Sequence, residues 1–142
     1  LLKTNEKGIK LVLSKKEETA IMSRILVIDD DDQIRAMLQQ VLQREGYEVI
    51  EAADGKPGMR LFRERGAELI ITDIIMPEKE GLETIMELRR DFPEVKIIAI
   101  SAGGRLEPNQ YLDLAKKLGA QVTLIKPFER EELLAAVHGL LE

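Results

Sequence analysis

Three stretches of this chain run apolar or β-prone and then stop on a charge. They are Ile25-Leu26-Val27-Ile28 into Asp29-Asp30, Leu69-Ile70-Ile71-Thr72 into Asp73, and Val122-Thr123-Leu124-Ile125 into Lys126. Runs of this kind read as buried parallel strands, each with a polar residue at its carboxyl end. An open parallel sheet aligns those ends along one edge, where ligands bind. Three carboxylates and one ammonium, distant in sequence, are therefore expected in one cleft. Carboxylates without Cys or His partners suit a hard cation with oxygen ligands, such as Mg²⁺. A lysine beside them suits a phosphoryl group whose charge must be neutralised.

The 142 residues suffice for one domain with a real core. A 44% apolar and 33% charged composition is that of an ordinary soluble globular protein. The net charge of −5, with both signs interspersed, argues against direct nucleic-acid binding. With no cysteine, disulfides, thiolate metal sites and cysteine nucleophiles are excluded. That fits a reducing compartment. No apolar run approaches the roughly 20 residues of a membrane helix. The run Ile9-Lys10-Leu11-Val12-Leu13 is too short for a signal peptide. A cytoplasmic location is expected, without membrane contact.

Residues 1–22 differ in character from the rest of the chain. They are lysine-rich, with a short apolar alternation at Ile9, Leu11 and Leu13, and Met22-Ser23 resembles a natural start. An N-terminal extension is expected, either non-native or an accessory arm whose Ile9/Leu11/Leu13 face docks on this domain or a partner. Ser14 and Glu17 are spaced as a capping box for a helix over 14–21.

From Arg24 the pattern alternates strand and helix. Strands are expected at 24–29, 47–52, 68–72, 95–100 and 122–125. Helices are expected near 31–45, 55–65, 81–91, 107–118 and 129–140. In the first helix Ile34, Met37, Leu38, Val41 and Leu42 share one face, and Gly46 ends it. Leu82, Ile85, Met86 and Leu88 are expected inward in the third. Met37, Met59 and Met86 are assigned to the core. Five βα units with short connections and right-handed crossovers give one central parallel sheet with helices on both faces.

The opening Ile25-Leu-Val-Ile-Asp29-Asp30-Asp31-Asp32-Gln-Ile-Arg35 resembles that of bacterial two-component response-regulator receiver domains. Thr72-Asp73-Ile74-Ile75-Met76-Pro77, with Gly81 four residues later, resembles their phosphoacceptor segment. Ser101 closing the fourth strand and Lys126-Pro127-Phe128 after the fifth complete the set. Each piece alone is weak; all four in order, from about Arg24 to Glu142, are specific.

The resemblance implies a (βα)₅ doubly wound sheet of flavodoxin-like strand order 2-1-3-4-5, with a receiver domain over 23–142. It implies that Asp73 accepts a phosphoryl group, with Lys126 and Ser101 contacting that group. Asp29, Asp30, Asp73 and the backbone carbonyl of Ile75 would hold Mg²⁺. Lys126 would pair with Asp73 before phosphorylation, and Pro127 would follow a cis peptide bond. Its partners would be a histidine kinase or histidine phosphotransfer protein, then a downstream protein target or an effector domain. It would be a monomer or a phosphorylation-dependent dimer, assisting its own phosphorylation and dephosphorylation. The pattern stops after the fifth helix, as in a stand-alone regulator or an excised N-terminal domain.

Asp31 and Asp32 are assigned to the helix N-terminus rather than to metal. His138, on the last helix, is assigned to the surface or a partly buried position. Two features depart from the family. Three residues before the lysine, where an aromatic is common, stands Thr123. The loop 102–109 is a few residues longer than usual, and Gly103 and Gly104 make it permissive. Ser101, Thr123, Gly103 and Gly104 are the candidate switch. The alternative class is an aspartate-nucleophile phosphohydrolase of the haloacid-dehalogenase type, whose Asp-x-Asp spacing is formally contained in Asp29-Asp30-Asp31. Against it, no acidic pair directly follows the fourth or fifth strand to bind the metal, there is no cap segment over a substrate, and Met76-Pro77 after Asp73 goes unexplained.

Overall fold

The computed structural model of the protein describes residues 2–4, 7, 10–12, 23–74, 81–101 and 108–142. The expectations for Ile75, Met76, Pro77, Gly103, Gly104, Ile9, Leu13 and a helix over 14–21 fall outside these residues. Near the N-terminus, β1 (Leu2–Thr4) and β2 (Lys10–Val12) pair antiparallel, with Leu2 opposite Val12.

The central sheet holds β3 (Arg24–Ile28), β4 (Glu48–Ala52), β5 (Leu69–Asp73), β6 (Lys96–Ser101) and β7 (Val122–Ile125). All pair parallel, in the order β4-β3-β5-β6-β7. Counted from Arg24 this is 2-1-3-4-5, as expected. The strands alternate with α1 (Asp32–Arg44), α2 (Gly55–Arg65), α3 (Gly81–Asp91), α4 (Pro108–Leu118) and α5 (Arg130–Leu141). No helix among the described residues is long and apolar enough to cross a membrane.

Period-2 alternation along the strands divides the core in two. Leu26, Ile28, Ile70, Ile97 and Ala99 point to one face and pack with Met59 and Phe62 of α2, Ile85 and Leu88 of α3, and Ala115 of α4. Ile25, Val27, Leu69, Ile71, Ile98 and Ile100 point to the other and meet Leu38 and Leu42 of α1 and Leu133 and Val137 of α5. With both faces covered, the central strands are apolar throughout.

Helix boundaries follow local chemistry. Asp31 caps α1, its carboxylate accepting from Gln33 N and Ile34 N at 2.9 and 3.3 Å. Gly46, at φ 94°, closes the same helix: its N–H donates to Gln43 O, and that of Tyr47 to Leu42 O. Helix α2 crosses β3 so closely that a Cβ on Gly58 would stand 2.6 Å from Ile28 Cδ1.

Met86 corrects the expected core. It is 54% exposed. The buried stripe of α3 runs Gly81, Thr84, Ile85, Leu88. A polar residue takes the position beside Ile85, and Met86 is turned about 100° away from it.

Candidate functional site

The carboxyl ends of β3, β5, β6 and β7 bring the expected residues together. Asp29 follows β3 directly; its N–H donates to Ala52 O at 3.1 Å, so the strand end stays registered with β4. Asp73 ends β5 opposite Ile100 of β6. Ser101 closes β6, fully buried, and its carbonyl accepts from Lys126 N at 2.9 Å. That bond ties the start of the β7–α5 connection to the site, and the Lys126–Pro127 peptide is cis, as expected.

Asp29 and Asp73 are buried, at 1% and 8% exposure, while Asp30 is exposed. Oxygens of all three lie within 4.8 Å of one another. Asp29 uses one oxygen to accept from Asp31 N at 2.9 Å and the other to accept from Lys126 Nζ at 2.7 Å. Asp73 accepts from Ile74 N at 2.8 Å and from Lys126 Nζ at 3.4 Å. The ammonium is thus nearer to Asp29 than to Asp73, a refinement of the expected pairing. Asp31 caps α1 and Asp32 pairs with Arg35, in the helix-terminal roles assigned to them.

Electrostatics follow from this crowding. Burial, then the Asp29 charge, push the Asp73 carboxyl up to about 6, against the lowering effect of Lys126 and the Ile74 N–H. Burial pulls the Lys126 ammonium down. Its hydrogen bond to Asp29 and the charges of Asp73 and Asp29 outweigh that, so the net shift is upward. One ammonium paired with two of three clustered carboxylates leaves negative charge uncompensated. Oxygen-only donors of this charge fit a hard divalent cation such as Mg²⁺. Each carboxylate retains free lone pairs for it.

Other expected residues stand apart. Thr123, partly exposed, lines a 610 Å³ cleft with Asp113 and Lys116 of α4 and Glu132 of α5. His138 is partly buried, its ring 6.1 Å from that of Tyr47. Ile75, Gly103 and Gly104 lie outside the described residues. Two further residues build the site: Arg35, which carries no sequence signal of its own, and Gly81, which belongs to the segment around Asp73. Arg35 Nη1 donates to Asp29 O at 2.7 Å. Gly81 brings α3 against β5, its N–H donating to Ile74 O at 2.7 Å.

Comparison with known proteins agrees with this geometry. The family described as response regulator receiver domain matches residues 25–138. The transcriptional regulatory protein CpxR of Escherichia coli K12 is 33% identical over 84% of this chain and 50% of its own length. The chain therefore spans about half the length of that relative. The chemotaxis protein CheY of Bacillus subtilis is 32% identical over 83% of this chain and 97% of its own. Among solved structures, the response regulator TrrA of Thermotoga maritima, in complex with Mg²⁺-BeF, superposes with a TM-score of 0.76 at 37% identity. It covers 84% of this chain and 100% of that one. A receiver domain protein from Clostridium thermocellum superposes at 0.77 with 30% identity, covering 84% and 94%. By sequence, strand order and the carboxylate cluster at the sheet edge, this chain belongs to the response regulator receiver domain family.

Proposed function

We propose that Asp73 is the phosphoacceptor of this receiver domain. In this reading residues 23–142 form the receiver and residues 1–22 an extension. The donor is a phosphorylated histidine of a kinase or phosphotransfer protein. An Asp73 oxygen forms the new bond to phosphorus as the phosphorus–nitrogen bond breaks, and the electron pair leaves with the imidazole. Asp73 is suited to this by its place: a carboxylate at a strand end, with one oxygen held by Ile74 N and the other directed toward Lys126. Lys126 meets the incoming charge, and the Ser101 hydroxyl is the further donor to the phosphoryl group.

Asp29, Asp30 and Asp73 would hold Mg²⁺, with the Ile75 carbonyl as a fourth oxygen. The ion, when bound, offsets carboxylate repulsion and neutralises phosphoryl charge. The T. maritima relative, solved with Mg²⁺-BeF, supports this choice. Loss of the group by attack of water on phosphorus returns a free carboxylate and inorganic phosphate, so the domain assists its own resetting. The output is a changed protein-contact surface, read by a downstream protein or an effector domain in the cytoplasm.

The observation that carries this reading is the convergence of Asp29, Asp30 and Asp73 within 4.8 Å beside Lys126. The test is incubation with acetyl phosphate and Mg²⁺, followed by intact-mass measurement. One phosphoryl group per chain is expected, with no addition when Mg²⁺ is chelated. Continuous donor hydrolysis without a labelled protein would instead mark a hydrolase.

A further inference from the structure

We infer that Arg35 is a positioning residue for the divalent-cation site, holding Asp30 in place by fixing the peptide plane that precedes it. The inference rests on the proposed reading of Asp29, Asp30 and Asp73 as cation ligands.

Asp30 is exposed, and no hydrogen bond to its carboxylate is found among the described residues, so its direction must come from its backbone. That backbone is pinned on both sides. Asp31 N, in the peptide after Asp30, donates to Asp29 Oδ1 at 2.9 Å. Asp29 O, in the peptide before Asp30, accepts from Arg35 Nη1 at 2.7 Å. The guanidinium is itself held. Its Nη2 pairs with Asp32, its Nε lies 3.9 Å from Glu51 of β4, and its side chain is only 15% exposed. A planar fork can serve the carbonyl and these carboxylates at once. Arg35 stands one turn into α1, whose start is fixed by the Asp31 cap, so helix, β4 and acidic turn lock together.

Charge and position predict opposite outcomes. A nearby guanidinium repels a cation, so as a mere charge its removal would tighten Mg²⁺ binding. As a positioning group, its removal frees Asp30 and weakens binding. Groups that orient metal ligands typically carry a 10–100-fold effect on affinity.

The experiment is calorimetric Mg²⁺ titration of the full chain, with metal-free melting measured in parallel. Wild type and Asp30→Ala establish the site. Arg35→Met, which keeps the apolar stem, is expected to bind Mg²⁺ about tenfold more weakly. Equal or tighter binding by Arg35→Met overturns the inference. Should Arg35→Met fail to fold, Arg35→Lys carries the test, since it keeps stem and charge but loses the fork. Several-fold weaker binding supports the inference, and unchanged affinity overturns it. If wild type itself binds no Mg²⁺, the cation reading falls, and this inference falls with it.

Discussion

Lys126 donates to Asp29 at 2.7 Å while standing 3.4 Å from Asp73, so the ammonium at the end of β7 is anchored chiefly on the carboxylate at the end of β3. Three strands of the sheet edge are thereby joined through one side chain. Lys126→Ala leaves two buried carboxylates facing each other. The metal-free protein is expected to lose about 2 kcal/mol at pH 7, and added Mg²⁺ to restore much of it. Because Lys126 lowers the Asp73 pKa, its removal should move Asp73 above its present value of about 6. Carboxyl NMR titration of both metal-free proteins checks this; an unmoved Asp73 midpoint would contradict it.

Asp73 also sets a pH dependence whose sign is fixed. Its carboxyl titrates at about 6 in the fold against an ordinary 3.8. Below both values it is neutral whether folded or not. Between them the unfolded chain has lost a proton that the native state keeps. The Asp73 contribution to metal-free stability therefore falls as pH rises from about 4 to about 6, then levels, by an amount on the order of 2–3 kcal/mol. Asp73→Asn lacks this loss. Its advantage over wild type should be near zero at pH 4 and reach about 2 kcal/mol at pH 7 in denaturant titrations without metal.

The ends of β3 and β5 were legible because a buried parallel strand is nearly all apolar, so a charge after Ile28 or Thr72 is conspicuous. By contrast β7, expected to be buried too, is an edge strand, with Leu124 buried and Ile125 43% exposed. The strand order and cis Lys126–Pro127 peptide came only through family resemblance. Periodicity misled at Met86, where Thr84 is buried instead: apolar spacing cannot register a polar residue satisfied inside the core. The preference of Lys126 for Asp29 was not legible either. Charge types place a lysine near carboxylates, but which of them it meets more closely depends on how the strand ends are offset in three dimensions. Arg35 stands within the opening motif without a signal of its own, since its role depends on the carbonyl of Asp29 rather than on any side-chain pattern.

Within the acidic run the four aspartates divide their work, and mutation should separate them. Mg²⁺ at a hundred times its Kd should stabilise the native state by about 2.7 kcal/mol. Asp30→Ala should erase most of that gain. Asp31→Ala removes the α1 cap and should cost about 1 kcal/mol with or without metal, leaving the gain intact. Melting curves at several Mg²⁺ concentrations distinguish the two; equal loss of the Mg²⁺ increment would misplace the ligands.

Two glycines should respond oppositely to alanine. A Cβ on Gly81 would stand 2.0 Å from Asp73 O and 2.7 Å from Ile74 Cα, both backbone atoms. Gly81→Ala should destabilise by about 2 kcal/mol or more and reduce Asp73 labelling, because α3 must retreat from the end of β5. Gly139, exposed in α5, has no atom within 4 Å of its would-be Cβ. Gly139→Ala should stabilise by about 0.5–1 kcal/mol without affecting labelling. Denaturant midpoints together with labelling stoichiometry check both.

Mapping the acyl phosphate along the chain decides which carboxylate is the acceptor. The chain is labelled with acetyl phosphate and Mg²⁺, reduced with borohydride, which converts an aspartyl phosphate to homoserine and releases phosphate, then digested and sequenced by mass spectrometry. A single modified residue, Asp73, is predicted, with no modification in Asp73→Asn. Modification at Asp29 or Asp30, or full labelling of Asp73→Asn, would contradict it.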